Sequence, residues 1–230
     1  VGFLVRIGRR VQPLAYTGFT TADYLSRADT ALANEPLTFF AWAFCKGIGS
    51  GAASTLVNLA DGGGANGRFN MAVGTSDLLA ASKATDGGTV GSASLASPFP
   101  ARRWTACTAV FQAGNARAAW MDGEKATNAT NVAADPSVDF QTVGARRQAS
   151  VTSPFAGHLA LPTVWAAALP DAAVAQLAGG AAPWLVMPEA IVRAWWMLPG
   201  FPPGHDFSGL GAHLAMTGSL RPGLTPPVRL

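Results

Sequence analysis

The sequence predicts an all-β protein, and three observations carry that reading. The first is a set of consecutive extended runs at 103–130. WTACTAVF at 104–111 has aromatic, β-branched and small residues, and is followed by the turn cluster of Gly114 and Asn115. ARAAWM at 116–121 then runs into Asp122-Gly123, with a return run at 124–130. Asp-Gly between extended runs is a strong hairpin signal, because a two-residue type I′ turn needs φ > 0 at both central positions. The second observation is composition. Charged residues make up only 13% of the 230 residues, while 26 Gly and 16 Pro punctuate the chain. That balance suits many short strands joined by turns. The third is period-two alternation, clearest at 68–74, where Phe69, Met71 and Val73 share one face.

Taken in order, residues 1–11 alternate apolar Phe3, Val5 and Ile7 with basic residues, and predict an edge strand or an arm that reaches a neighbour. A strand begins near Tyr24. LTFFAWAFC at 37–45 is apolar on both faces and predicts a strand covered on both sides. Strands follow at 54–60, 68–74, 77–85 and 89–95, separated by glycine-rich turns at 61–67 and 86–88. Pro98 and Pro100 end that pairing, since proline cannot donate to a ladder. After the hairpin come a strand at 138–144, a turn at 145–148 and a long run at 155–169. Residues 170–180 predict a short helix, with Pro170 and Asp171 at its start and Gly179 at its stop. A brief helix at 188–198 and a short strand at 214–217 precede a proline-rich tail. Three parts emerge: an arm at 1–22, a main domain at 23–182 and a C-terminal extension at 183–230.

The bulk properties exclude several function classes. The net charge of +3 comes from scattered arginine pairs, not a basic patch interleaved with aromatics, so nucleic acid is not an expected partner. No segment reaches the ~20 apolar residues of a membrane helix, and Arg6, Arg9 and Arg10 lead into no apolar core of a signal peptide. Cys45 and Cys107 read as small buried side chains.

The ordered pieces resemble the laminin-G-like, concanavalin-A-like jelly-roll superfamily over about 24–180. The residues that carry the likeness are LTFFAW at 37–42, RWTACTAVF at 103–111, RAAWMDG at 117–123, VGAR at 143–146, and the stretch from Phe155 and Gly157 through Trp165 to Leu177. The resemblance implies a two-sheet antiparallel jelly-roll sandwich with one or two short helices. It departs from the family pattern after Gly157, where His158 stands without the usual acid. The segments LVMP at 185–188, AWWMLPG at 194–200, and those around Asp206 and Met216 resemble an extension found on such domains in bacteriophage and prophage proteins.

Catalytic chemistry finds no support in the sequence. Glu35, Glu124 and Glu189 are too scattered for the paired carboxylates of the superfamily's hydrolases. No metal-ligand spacing, G-x-S-x-G elbow or phosphate loop is present. Asp61, Asn66, Asp86 and Asp122 lie in turns, where relatives hold calcium, and with Trp120 as an aromatic platform they are the candidates for a calcium or carbohydrate site. The apolar surplus, with positive mean hydropathy, exceeds what one sandwich needs inside. It makes Phe3, Val5, Ile7, Phe40, Trp195 and Trp196 candidates for a protein interface. The leading expectation is therefore a non-enzymatic virion component, a capsid decoration or fibre-like protein attached to other virion proteins and to copies of itself, assembled in a host cytoplasm. The alternative is a lectin-like carbohydrate-binding module, calcium-dependent or not, including a tail-borne adhesin for surface glycans.

Overall fold

The computed structural model describes residues 12–28, 32, 34–47, 53–64, 66–132 and 137–228. Phe3, Val5 and Ile7 lie outside them. The described residues form an all-β jelly-roll sandwich of two antiparallel sheets, with one short α-helix. In chain order the strands are β1 (Tyr16–Thr17), β2 (Tyr24–Ala28), β3 (Leu37–Cys45), β4 (Ser54–Ala60) and β5 (Arg68–Val73). Next come β6 (Leu78–Ala84), β7 (Val90–Pro98), β8 (Trp104–Ala113), β9 (Ala116–Met121) and β10 (Glu124–Asn128). The remainder are β11 (Phe140–Val143), β12 (Arg146–Arg147), β13 (Val151–Thr152), β14 (Gly157–Trp165), β15 (Ile191–Ala194), β16 (Ala215–Thr217) and β17 (Arg221–Pro222), with α1 at Asp171–Ala178.

The first sheet runs β10-β9-β8-β3-β14-β1-β17, with β15 also on β14. The second runs β16-β2-β11-β4-β5-β6-β7. The expected hairpin turn is in place: Asp122 and Gly123 have φ of 49° and 95°, so both central positions are left-handed, as a type I′ turn requires. Pro162 sits inside β14 because the register with β3 shifts between Ala160 and Thr163, so no ladder donor is missed there.

Two apolar clusters follow from strand alternation. One fills the space between the sheets and includes Phe39, Phe69, Met71, Phe111, Val143 and Leu159. The other lies on the outer side of the first sheet and includes Phe40, Trp42, Trp120, Leu161, Trp165 and Trp196. Helix α1 covers part of this second cluster with Ala173, Val174 and Leu177, and the segment beyond 182 covers more. The buried indoles are satisfied as they pack: Trp165 Nε1 donates to the Val186 carbonyl at 2.9 Å, and Trp196 Nε1 to Thr163 Oγ1 at 3.0 Å.

This second cluster corrects the interface expectation. Phe40 and Trp195 are fully buried and Trp196 is 8% exposed, so none is available to a partner. Much of the apolar surplus among the described residues is buried within the chain, although Leu185, Phe201, Leu210 and Leu224 remain exposed. Residues 183–230 are also more than an appendage, since β15 and β17 extend the first sheet and β16 the second. The helix expected at 188–198 is instead a 3₁₀ turn at Pro188–Ala190 leading into β15, where pairing with β14 overrides local propensity. The turn at 145–148 contains β12, paired with β13 as a small hairpin. Cys45 and Cys107 are both buried and free.

Candidate functional site

The outer face of the second sheet differs in kind from that of the first. Its inward positions carry Leu25, Val143, Leu59, Phe69, Met71, Ala81 and Ala93. Alternation therefore turns their neighbours outward, and the strand register aligns those neighbours. Ser26 pairs with Thr142, Thr142 with Asn58, Asn58 with Asn70, Asn70 with Ser82, and Ser82 with Ser92. The result is one row of hydroxyl and amide side chains across six strands. Beside it lie the small residues Ala72 and Ala80, followed by Ser94.

The β12–β13 hairpin folds over one end of this row. The Arg147 amide donates to Asn58 Oδ1 at 3.2 Å, Thr142 Oγ1 donates to the Ala145 carbonyl at 2.7 Å, and the Thr55 amide donates to the Ser153 carbonyl at 2.9 Å. Thr142 and Asn58 are buried beneath it, and Ser26 and Asn70 are buried as well, whereas Ser82 and Ser92 are half-buried and Ser94 is exposed. The hairpin is thus a wall, and the trough beside it is floored by Asn70, Ala72, Ala80, Ser82 and Ser92. Asn70 Oδ1, Thr55 Oγ1 and Arg68 Nε are buried with no hydrogen-bond partner among the described residues. Such groups are uncommon in folded proteins.

Arginines edge the wall. Arg68 donates through Nη1 to the Asn66 carbonyl at 2.8 Å, Arg146 through Nε to Thr152 Oγ1 at 3.2 Å, and the Arg147 guanidinium lies 3.7 Å from the centre of the Phe140 ring. Burial pushes the Arg68 and Arg146 guanidinium pKa values below their ordinary range, and the Arg146 charge pushes Arg68 further.

The turn residues expected to bind calcium or sugar divide between the sheets. Asp61, Asn66 and Asp86 gather at one end of the second sheet, where Asn66 Nδ2 donates to the Asp86 carbonyl at 3.5 Å. Their oxygens are engaged locally. Asp61 Oδ1 accepts the Gly63 amide at 2.8 Å, and Asp86 Oδ2 accepts Ser137 Oγ at 2.9 Å. Asp122 belongs to the first sheet, holding the Ala106 amide at 2.8 Å and Arg103 at 2.6 Å. Among the described residues no group of three His, Cys, Asp or Glu side chains is placed to hold a metal ion.

Trp120 turns away from the sandwich interior, but only 8% of it is exposed. It lines a cleft of about 250 Å³ with Gln112, Thr127 and Leu169. Lys125 Nζ stands 4.8 Å above the ring centre and is tied to Asp171 at 2.7 Å, so the face a sugar would stack on is already covered.

This architecture agrees with a family model described as the concanavalin A-like lectin/glucanases superfamily, which matches residues 19–175. The chain belongs to that superfamily. No curated protein matches the sequence. Among solved structures, a heptameric SAP-like pentraxin from Limulus polyphemus superposes with a TM-score of 0.65 at 15% identity, over 96% of this chain and 98% of that one. A candidate carbohydrate-binding protein from Bacteroides ovatus gives 0.64 at 14% identity, over 94% of this chain and 61% of that one, so the present chain spans about three fifths of its length. The CBM40 of the Ruminococcus gnavus IT-sialidase, solved with α2,3-sialyllactose, gives 0.54 at 13% identity, over 71% and 97%. At these identities the likeness is one of fold.

Relative to the superfamily expectations, the sequence pointed to the rim acids and to Trp120 and passed over the trough. Period-two alternation at 68–74 already set Arg68 and Asn70 opposite Phe69 and Met71. What it could not supply was the register that brings Asn58, Ser82 and Ser92 alongside them.

Proposed function

We propose that this chain is a non-catalytic, lectin-like carbohydrate-binding module whose ligand lies along the trough on the outer face of the second sheet. The observation that carries the reading is the aligned row Asn70, Ser82 and Ser92, continued by Ser94 on the next row. Amides and hydroxyls donate and accept, matching the bifunctional hydroxyls of a saccharide. The face opposite is filled by α1 and the C-terminal segment, whereas on this one Ser82 and Ser92 are half-buried and Ser94 is exposed. The named binding partners of similar folds, sialyllactose in the R. gnavus case, lend support.

A glycosidase reading would require two facing carboxylates on one face. Glu35 is instead paired with Lys83 at 2.9 Å, and Glu124 Oε1 accepts the Ser97 amide at 3.2 Å. A virion-decoration reading drew in part on an apolar exterior, and of the side chains it named Phe40, Trp195 and Trp196 are buried within the chain. The proposed mode calls on no cation.

The test is a glycan array probed with the purified chain, repeated with chelator and with Ser82→Tyr, which fills the trough. Retention of a defined glycan set, unaffected by chelator and abolished by Ser82→Tyr, is the expected result. Binding unchanged by Ser82→Tyr, or no retained glycan at all, overturns the proposal.

A further inference from the structure

Elsewhere among the described residues the buried or half-buried cations are engaged by an acid or by several neutral acceptors: Arg117 is held by Asn128 Oδ1 and the carbonyls of Gly114 and Thr130, and Arg193 by Gln141 Oε1 and the Val192 carbonyl. Lys83 has Glu35, Arg103 has Asp122 and Lys125 has Asp171. Arg68, Arg146 and Arg147 have no acid, although they crowd one wall of the trough and no ion pair joins them to a carboxylate. Like charges drawn out of water without a counter-charge are costly to hold. Arg147 is engaged by the Phe140 ring and, through its amide, by Asn58. Arg68 and Arg146 are different. Only Nη1 of the first and Nε of the second make hydrogen bonds among the described residues, leaving planar donor edges unused at the half-buried margin of the trough. Arg68 Nε is buried and unsatisfied. Burial lowers the basicity of both groups, and the Arg146 charge lowers that of Arg68 further.

We propose that Arg68 and Arg146 form a site for the acid group of an anionic saccharide, a carboxylate or a sulfate, whose neutral part lies along the Asn70–Ser82–Ser92 row. The inference rests on the carbohydrate-binding reading and adds the ligand's charge class to it. Guanidinium groups suit this task because their donor fork matches a planar or tetrahedral oxyanion with two parallel hydrogen bonds. The ligand would also supply the counter-charge that the chain does not.

The experiment is titration calorimetry of the full chain against dextran, polygalacturonate, dextran sulfate and sodium sulfate, at low and at raised salt. The variants are Arg68→Gln/Arg146→Gln, Arg68→Lys/Arg146→Lys, and the charge-matched Arg102→Gln/Arg221→Gln at exposed positions elsewhere. One of the two acidic polymers is expected to bind at least about tenfold tighter than dextran, a preference that survives raised salt, and the Gln pair to remove it. The Lys pair keeps the charge, loses the fork and should retain only part of the preference. The charge-matched pair should bind as the parent does. Which polymer wins separates carboxylate from sulfate.

Equal losses in the Gln pair and the charge-matched pair would mean general attraction to a basic protein and would overturn the site. Binding of neutral glycans with no preference for an acidic one would overturn it too, while leaving the carbohydrate reading intact. Sodium sulfate binding that the Gln pair abolishes, with no saccharide bound, would uphold the arginine pair and sink the carbohydrate reading.

Discussion

The two outer faces of the sandwich are built from the same alternation and end with opposite chemistry. On the first sheet the outward positions are Phe40, Trp42, Ala106, Trp120 and Trp165, and the chain returns over them with α1 and the residues after 182. On the second they are Thr142, Asn58, Asn70, Ser82 and Ser92, and among the described residues a two-stranded hairpin returns over part of the row. Apolar outward side chains must be covered, and the stabilisation from removing them from water, about 25 cal/mol per Å², rewards the covering segment. Polar outward side chains give no such return, and beyond the hairpin Ser82 and Ser92 stay half-exposed. One face is therefore committed to stability, and the other is the one to which the proposed binding is assigned.

The largest test of this contrast is in the covered face. Trp165→Ala and Trp196→Ala each empty a packed site and strip a satisfied indole, so each should lower the unfolding free energy by ~3–5 kcal/mol in urea titration. A loss below ~1 kcal/mol would mean that the C-terminal segment is a loose cover and that the two faces differ less than described. Next in size is Asn58→Ala, which leaves the Arg147 amide without its acceptor beneath the hairpin. It should cost ~1–3 kcal/mol and raise proteolytic cleavage within 145–153, with α1 unaffected. The open face should respond least. Ser92→Ala and Ser94→Ala are expected to stay within ~0.5 kcal/mol of the parent while weakening glycan retention, separating binding from stability at these positions.

The smallest effect concerns pH. Burial lowers the pKa of His158, and the nearby Lys46 charge adds to it; burial and the charge of His213 also lower that of His205, despite a smaller opposing pull from Asp206. Both imidazoles thus take up protons less readily in the fold than in the unfolded chain. The thermal midpoint should be level above the ordinary histidine value of about 6.5 and fall as pH drops below it. His158→Gln should shallow that slope; an unchanged slope would exclude His158 as its source.

Much of the architecture was legible because it is local. Asp122-Gly123 announces its turn, the 68–74 alternation announces its buried face, and Pro170 with Gly179 brackets α1. The apolar surplus was also legible, but its destination was not. Trp195 and Trp196 read as interface residues because a sequence shows how much surface must be covered and not which segment covers it. The same limit hid the trough. Asn58, Asn70, Ser82 and Ser92 come from four strands, and their alignment depends on registers that a shift of one residue would invert. Trp120 points outward as a platform should, yet Lys125 and Asp171, 46 residues apart in the chain, close over it.

By itself, then, the sequence determined that this chain is an antiparallel β-sandwich carrying more apolar side chains than the space between its sheets can hold. Period and turn chemistry act over a few residues and survive any tertiary arrangement. Only the tertiary structure decided that much of the surplus is buried by the chain's own C-terminal segment, and that one face is left as an amide and hydroxyl row beside unpaired arginines. Those outcomes are set by pairings between distant segments, whose free energies depend on contacts no short stretch of sequence contains.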